Sequence, residues 1–237
     1  MQSRQHKNLS LLFILGLLVV FCPLGIDIYL PAFPTIAEQL NASEKQLQQT
    51  VAIFLLTVGL GQLIAGPLAD KFGRKPVAIS GVTIYGVAAF WAYLAPDFTT
   101  LMIARALQGL GACATFVVAF AIVRDKFGSE RSGQIITYLN GIVCFIPALA
   151  PILGAWLTVQ FGWRMNFLFM VSFALVGLFI VLFLYKETRP KDSVYSGHIL
   201  DLRRFIPIIS TPLFLFHSLI CLVTMSAILV FVTLAPG

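Results

Sequence analysis

The spacing of charges limits this chain more than any other feature. No Asp, Glu, Lys or Arg stands between Lys7 and Asp27, between Lys45 and Asp70, or between Lys75 and Asp97. Residues 98–123 carry one such residue, Arg105, and Ser132–Trp163, Met165–Tyr185 and Phe205–Gly237 carry none. A helix crossing the hydrocarbon core of a bilayer needs about 20 mostly apolar residues. Seven spans are therefore expected, at about 9–30, 47–69, 76–95, 99–123, 134–160, 165–185 and 212–234. The runs are too long for core strands and lack the alternation of a membrane barrel. The fold class read here is an all-α membrane protein.

Composition narrows the function classes. Only 11% of the 237 residues are charged and 59% are apolar, against roughly 25% and 45–50% in soluble domains. A net charge of +6 would suit nucleic acid only if the basic residues formed one face. Instead they sort by side of the membrane. One set of segments holds Arg4, Lys7, Lys71, Arg74, Lys75, Arg124, Lys126, Arg131, Lys186, Arg189, Lys191, Arg203 and Arg204, and the other only Lys45 and Arg164. The positive-inside rule places the N-terminus in the cytoplasm. That bias also argues against a seven-helix receptor, which would have its N-terminus outside. A cleaved signal sequence is disfavoured, because the first apolar run is too long and more spans follow.

Chemistry-bearing residues are few. Cys22, Cys113, Cys144 and Cys221 all fall inside spans without CxxC or His spacing, so neither a metal nor another cofactor is expected. No cluster of nucleophile, base and metal ligand supports a membrane enzyme. His217 reads as a packing donor or a proton carrier. Lys186–Arg204 is the long polar stretch. The expected organisation is a six-helix domain over 1–185, a linker over 186–211, and a seventh helix over 212–237 that begins a second half not contained in the chain.

Gly66-Pro-Leu-Ala-Asp70-Lys-Phe-Gly73-Arg74-Lys75-Pro76 is the most informative segment. A tight turn there is expected to need Gly66 and Gly73, and Asp70 to need an arginine or a helix N-terminus as partner. The segment resembles the signature between helices 2 and 3 of the major facilitator superfamily. Leu101-x-x-x-Arg105-x-x-Gln108-Gly109-x-Gly111-Ala112 resembles the superfamily's helix 4 motif. Pro147-Ala-Leu-Ala-Pro151-Ile-Leu-Gly154-Ala155 resembles the helix 5 antiporter motif, with Ala155 where a second glycine is usual. Asp27-Ile-Tyr-Leu-Pro31-Ala-Phe-Pro34, Val123-Arg124-Asp125 and Lys186-Glu187-Thr188-Arg189-Pro190 resemble the Bcr/CflA-type drug–proton antiporters.

The resemblance implies the N-terminal half of a twelve-helix exporter plus helix 7, in the bacterial inner membrane and monomeric when full length. Its partners would be small amphipathic drugs, protons and the lipid bilayer, not nucleic acid. A metabolite exporter on the same scaffold is the alternative. Asp27 and Arg105, the charges placed at membrane depth, are assigned to proton coupling, close enough to pair in the outer half of the membrane. The competing readings are an interfacial Asp27 and an Arg105 anchored to backbone carbonyls. Arg105, Gln108, Gly109 and Ala112 share one helix face. Tyr29, Gln108, Tyr138 and Asn140 are assigned to the substrate cavity, Pro147, Pro151 and Gly154 to a kinked interface. Gly66, Asp70, Gly73, Arg74 and Asp125 are assigned to a cytoplasmic gate in which Arg74 pairs with Asp125.

Overall fold

The computed structural model describes residues 2–189 and 206–234, and their regular structure is entirely helical. The chain divides into two compact units, Met1–Tyr195 and Ser196–Gly237. The first unit contains α1 (Gln2–Asp27), a 3-10 turn (Leu30–Ala32), α2 (Phe33–Gln39), α3 (Glu44–Phe72) and α4 (Arg74–Tyr93). It continues with α5 (Phe98–Gly128), α6 (Glu130–Phe161) and α7 (Arg164–Phe183). Among the described residues, six segments are long and apolar enough to cross a membrane: Ser10–Gln39, α3, α4, α5, α6 and α7. The second unit contains α8 (Ile206–Ile209) and α9 (Pro212–Leu234). Within it, His217 Nδ1 lies 2.8 Å from the Leu213 carbonyl of the same helix.

The first span differs from its expected form. It runs to Gln39 rather than to residue 30, and it is broken. Pro31 and Pro34 carry no N–H, so the carbonyls of Asp27 and Leu30 lose their i+4 donors. The hydrogen bond from Ile28 N to Leu24 O is stretched to 3.4 Å, and the chain passes through the 3-10 turn before α2 resumes. Asp27, expected one turn from the outer end, is instead the last residue of α1, at a break inside the span.

Other boundaries have local causes. A capping box starts α3: Ser43 N donates to Gln46 Oε1 at 2.8 Å, and Gln46 N to Ser43 Oγ at 3.3 Å. Asp97 caps α5 through Thr100 N at 2.8 Å. The α3–α4 connection is the single residue Gly73, whose φ of 106° belongs to the region glycine enters without penalty. Gly66 is not part of that turn, which corrects the sequence expectation. It lies inside α3 with open space where a Cβ would point. Its place before Pro67 gives it a different use, since proline crowds a preceding Cβ.

The core is organised around α5, which is far more buried than α6. A Cβ on Gly109 would stand 2.5 Å from the Phe54 carbonyl of α3, and one on Gly111 2.5 Å from Tyr85 N of α4. Small residues let helix backbones approach this closely within a bilayer, where packing rather than water exclusion drives association. So α5 is wedged between α3 and α4, and a side chain on its remaining face is carried deep into the bundle.

Candidate functional site

Arg105 occupies that position, fully buried on α5. A charge at such depth costs several kcal/mol or more unless it is housed. Its Nη2 donates to the Gly25 carbonyl at 2.7 Å and its Nη1 to Gln108 Oε1 at 2.5 Å. The guanidinium carbon stands 4.4 Å from the ring centroids of both Tyr29 and Phe54. Gly25 belongs to the last turn of α1, whose carbonyls have no intrahelical donors. A cation at the negative end of a helix dipole is favourable, and two aromatic faces add cation–π attraction worth about 2 kcal/mol when desolvated. Arg105 thus plugs the end of the broken helix.

Asp27, two residues beyond Gly25, is buried at 6% exposure. The sequence left a direct or a water-mediated pairing of Asp27 with Arg105 open, and the structure has no direct ion pair between them. Both ion pairs among the described residues involve Arg74. The break explains this, because the free carbonyl of Gly25 reaches the guanidinium in place of the carboxylate. Gly154 of α6 packs against the same place, and a Cβ there would overlap the Ile28 carbonyl oxygen. Of the three residues assigned to the helix 5 motif, Gly154 is buried, Pro151 half-buried and Pro147 exposed. Only the glycine end of that face touches the break closely.

The four residues assigned to a cavity are not gathered into one wall. Tyr29 and Gln108 are fully buried beside Arg105, with Tyr29 Oη 2.8 Å from Thr50 Oγ1 and Gln108 Nε2 donating to Met170 Sδ at 3.2 Å. Tyr138 is 72% exposed, and Asn140 is also exposed. Their helix, α6, carries its apolar side chains outward, including Phe145, Leu149, Ile152 and Trp156. An apolar groove of about 580 Å³ between α1, α6 and α7 is lined by residues such as Val20, Leu24, Leu149, Trp156, Phe169 and Phe173, and by none of the four.

At the α3–α4 turn the arrangement is ionic. Arg74 Nε donates to Asp125 Oδ2 at 2.8 Å, and Arg74 Nη1 lies 2.8 Å from Asp70 Oδ1 and 2.7 Å from the Ala69 carbonyl. The structure therefore brings together Asp70, Gly73, Arg74 and Asp125, leaving only Gly66 aside. Glu187, beyond α7, was not among the expected site residues, yet it is central. Its carboxylate accepts from the backbone N–H of Arg74 at 3.0 Å and of Lys75 at 2.9 Å, the first residues of α4. It also accepts from Thr188 N and Arg189 N. Partial burial by itself would raise the Glu187 carboxyl, but the four N–H donors outweigh it and hold the group below the ordinary 4.5. Two cations reciprocate at helix C-termini: Lys75 Nζ on the Leu182 carbonyl at 2.7 Å and Arg189 Nη1 on the Lys71 carbonyl at 2.6 Å. The sequence signal was available, since Glu187 is the single acid in a basic Lys-Glu-Thr-Arg stretch.

The ion pair of Arg74 with Asp125 at the α3–α4 turn is the contact that the sequence resemblance implied, whereas the break in the first span was not foreseen. The Major Facilitator Superfamily model matches residues 15–237. The chain belongs to this superfamily. It is 40% identical over 219 residues to the multidrug resistance protein MdtL of Escherichia fergusonii, covering 92% of this chain and 55% of that protein. Identity to MdtL of Escherichia coli strain E24377A is also 40%, over 224 residues. The chain thus spans about half the length of the curated relatives it matches. Two solved superfamily structures share the fold. The human organic anion transporter MFSD10 (TETRAN) aligns with a TM-score of 0.62 at 19% identity, covering 82% of this chain and 51% of that one. The proton:xylose symporter XylE aligns with a TM-score of 0.66 at 17% identity, covering 78% and 46%.

Proposed function

We propose that this chain forms the first half of a proton-coupled exporter of small amphipathic compounds, of the Bcr/CflA type, in the bacterial inner membrane. The Arg105 site carries the reading. A guanidinium is held on neutral acceptors at the end of a broken helix, two residues from a buried carboxyl that has no ion-pair partner among the described residues. Asp27 is then free to exchange a proton without first breaking an ion pair, while Arg105 tracks the position of the break. The 40% identity to multidrug resistance proteins supports drug-like cargo. The α3–α4 turn, placed in the cytoplasm by the excess of Lys and Arg on its side, serves as the gate that parts as the two halves rock.

Asp27→Asn tests the reading in the full-length protein reconstituted in proteoliposomes. Drug-driven proton release is expected to fall at least 10-fold, with folding intact. Unchanged proton-coupled efflux would overturn it.

A further inference from the structure

The hydroxyl of Tyr85 on α4 is fully buried and has no hydrogen-bond partner among the described residues. It stands 3.1 Å from where a Cβ on Gly25 would be, and the carbonyl of that residue holds Arg105. The ring is fixed by Phe21, whose centroid is 5.0 Å away at a near-perpendicular angle. A phenylalanine would fill the same volume without stranding a polar atom, and a stranded buried hydroxyl is destabilising. Its neighbours are also under-satisfied. Arg105 Nε has no partner, and the Gln108 amide donates only to the Met170 thioether, a weak acceptor. The hydroxyl feels the Arg105 charge and a hydrogen-bond-like attraction to the Gln108 side chain, but it meets hydrogen-bond geometry with neither. The other titratable groups around it are Cys22 of α1 and, beyond that, Cys113 of α5 and Asp27 of α1.

We infer that the Tyr85 hydroxyl is the second docking point of the Arg105–Gln108 pair, which makes Tyr85 a positioning residue for the guanidinium. In the present state the pair is anchored on the Gly25 carbonyl and the hydroxyl is idle. When the guanidinium leaves Gly25, the hydroxyl accepts from the Gln108 amide or from Arg105 Nε, and the network closes a second way. The inference rests on the proposed export function only for its transport readout.

The test is Tyr85→Phe in the full-length protein. Removal of a group stranded in the resting state is expected to raise Tm by about 2–4 °C. A lowered or unchanged Tm would show a hydroxyl already satisfied, or without cost, in this state, and would overturn the inference. In proteoliposomes the variant is expected to export about 10-fold more slowly at unchanged KM, with a shifted pH profile. Unchanged rate and pH profile would overturn it equally. Tyr85→Phe added to Gln108→Leu should slow transport no further if Tyr85 acts through Gln108, and additive loss would refute that route. The Asp27→Asn experiment fails separately: if it leaves coupling intact, the export mechanism falls while the Tm arm still decides the fate of the hydroxyl.

Discussion

Arg74 and Arg105 are the two buried arginines of this bundle, and they are housed in opposite ways. Arg74 lies at a helix end and takes Asp125 and Asp70 as partners. Arg105 lies inside the bundle and takes a backbone carbonyl, a side-chain amide and two aromatic faces. The difference follows from what water does in each place. The Arg74 cluster opens to water at Asp70, whose side chain is 53% exposed, so hydration is at hand to replace the contacts when they part. In a low-dielectric interior the same pair would be hard to separate. Neutral acceptors keep the inner guanidinium housed yet leave Asp27 uncommitted. Under the proposed function, the inner site serves a change of protonation and the outer one a change of contact.

The sharpest way to break this comparison is to displace the acceptors at the inner site. Gly154→Ala places a methyl group on the Ile28 carbonyl, where there is no room. Overpacking of this kind costs about 1–3 kcal/mol or more, and here it pushes on the turn directly after Gly25. A fall of several degrees in Tm, with loss of transport, is expected. Gly59→Ala is the control, since Gly59 of α3 has open space around it, is not followed by a proline, and alanine favours a helix. A Gly154→Ala protein as stable and active as the Gly59→Ala protein would show that α6 does not hold the break.

The glycines of the sequence motifs also show how much was legible. Charge spacing predicted the six spans of the first unit, because membrane depth forbids charge whatever the packing. The Arg74–Asp125 pair was legible through the resemblance of the helix 2–3 segment and of Val123-Arg124-Asp125 to known motifs, which matched the loop arginine to that acid. Gly66 misled because its motif position gives no hint that α3 runs on to Phe72. Asp27 was placed too near the surface because Pro31 and Pro34 read as a helix end, whereas tertiary contacts let the helix resume as α2. Tyr29 and Gln108 were grouped with Tyr138 and Asn140 because polarity in an apolar chain reads as cavity, yet packing around Arg105 consumes the first two. The capping role of Glu187 depends on a contact across more than 100 residues, which no local pattern encodes.

A smaller effect is expected at the outer site. A double-mutant cycle of Arg74→Gln and Asp125→Asn measures how strongly the pair is coupled. The side chains are only 9% and 12% exposed, so a coupling of about 1–3 kcal/mol is expected by chemical unfolding. Additive single effects would mean that the pair is a bystander, and the contrast between the two arginines would lose its outer half.

The smallest expected effect concerns Glu187, and it sharpens the comparison by isolating a charge at a helix end that touches neither arginine side chain. Its carboxylate is stabilised by N–H donors at the start of α4, where an anion meets the positive end of a helix dipole. Because its folded-state value lies below the ordinary 4.5, its contribution is complete above that value and is lost as pH falls through the folded one. At neutral pH, Glu187→Gln should lower Tm by only a degree or two, since the amide oxygen still accepts hydrogen bonds. As pH falls through the lowered folded value, the wild type and the variant should converge, because both then carry an uncharged side chain over the same N–H groups. Thermal melts of both proteins across pH 3–7 test this. A difference that persists at the acid end would place the role of Glu187 in shape rather than charge, and would leave the start of α4 held mainly by Arg74.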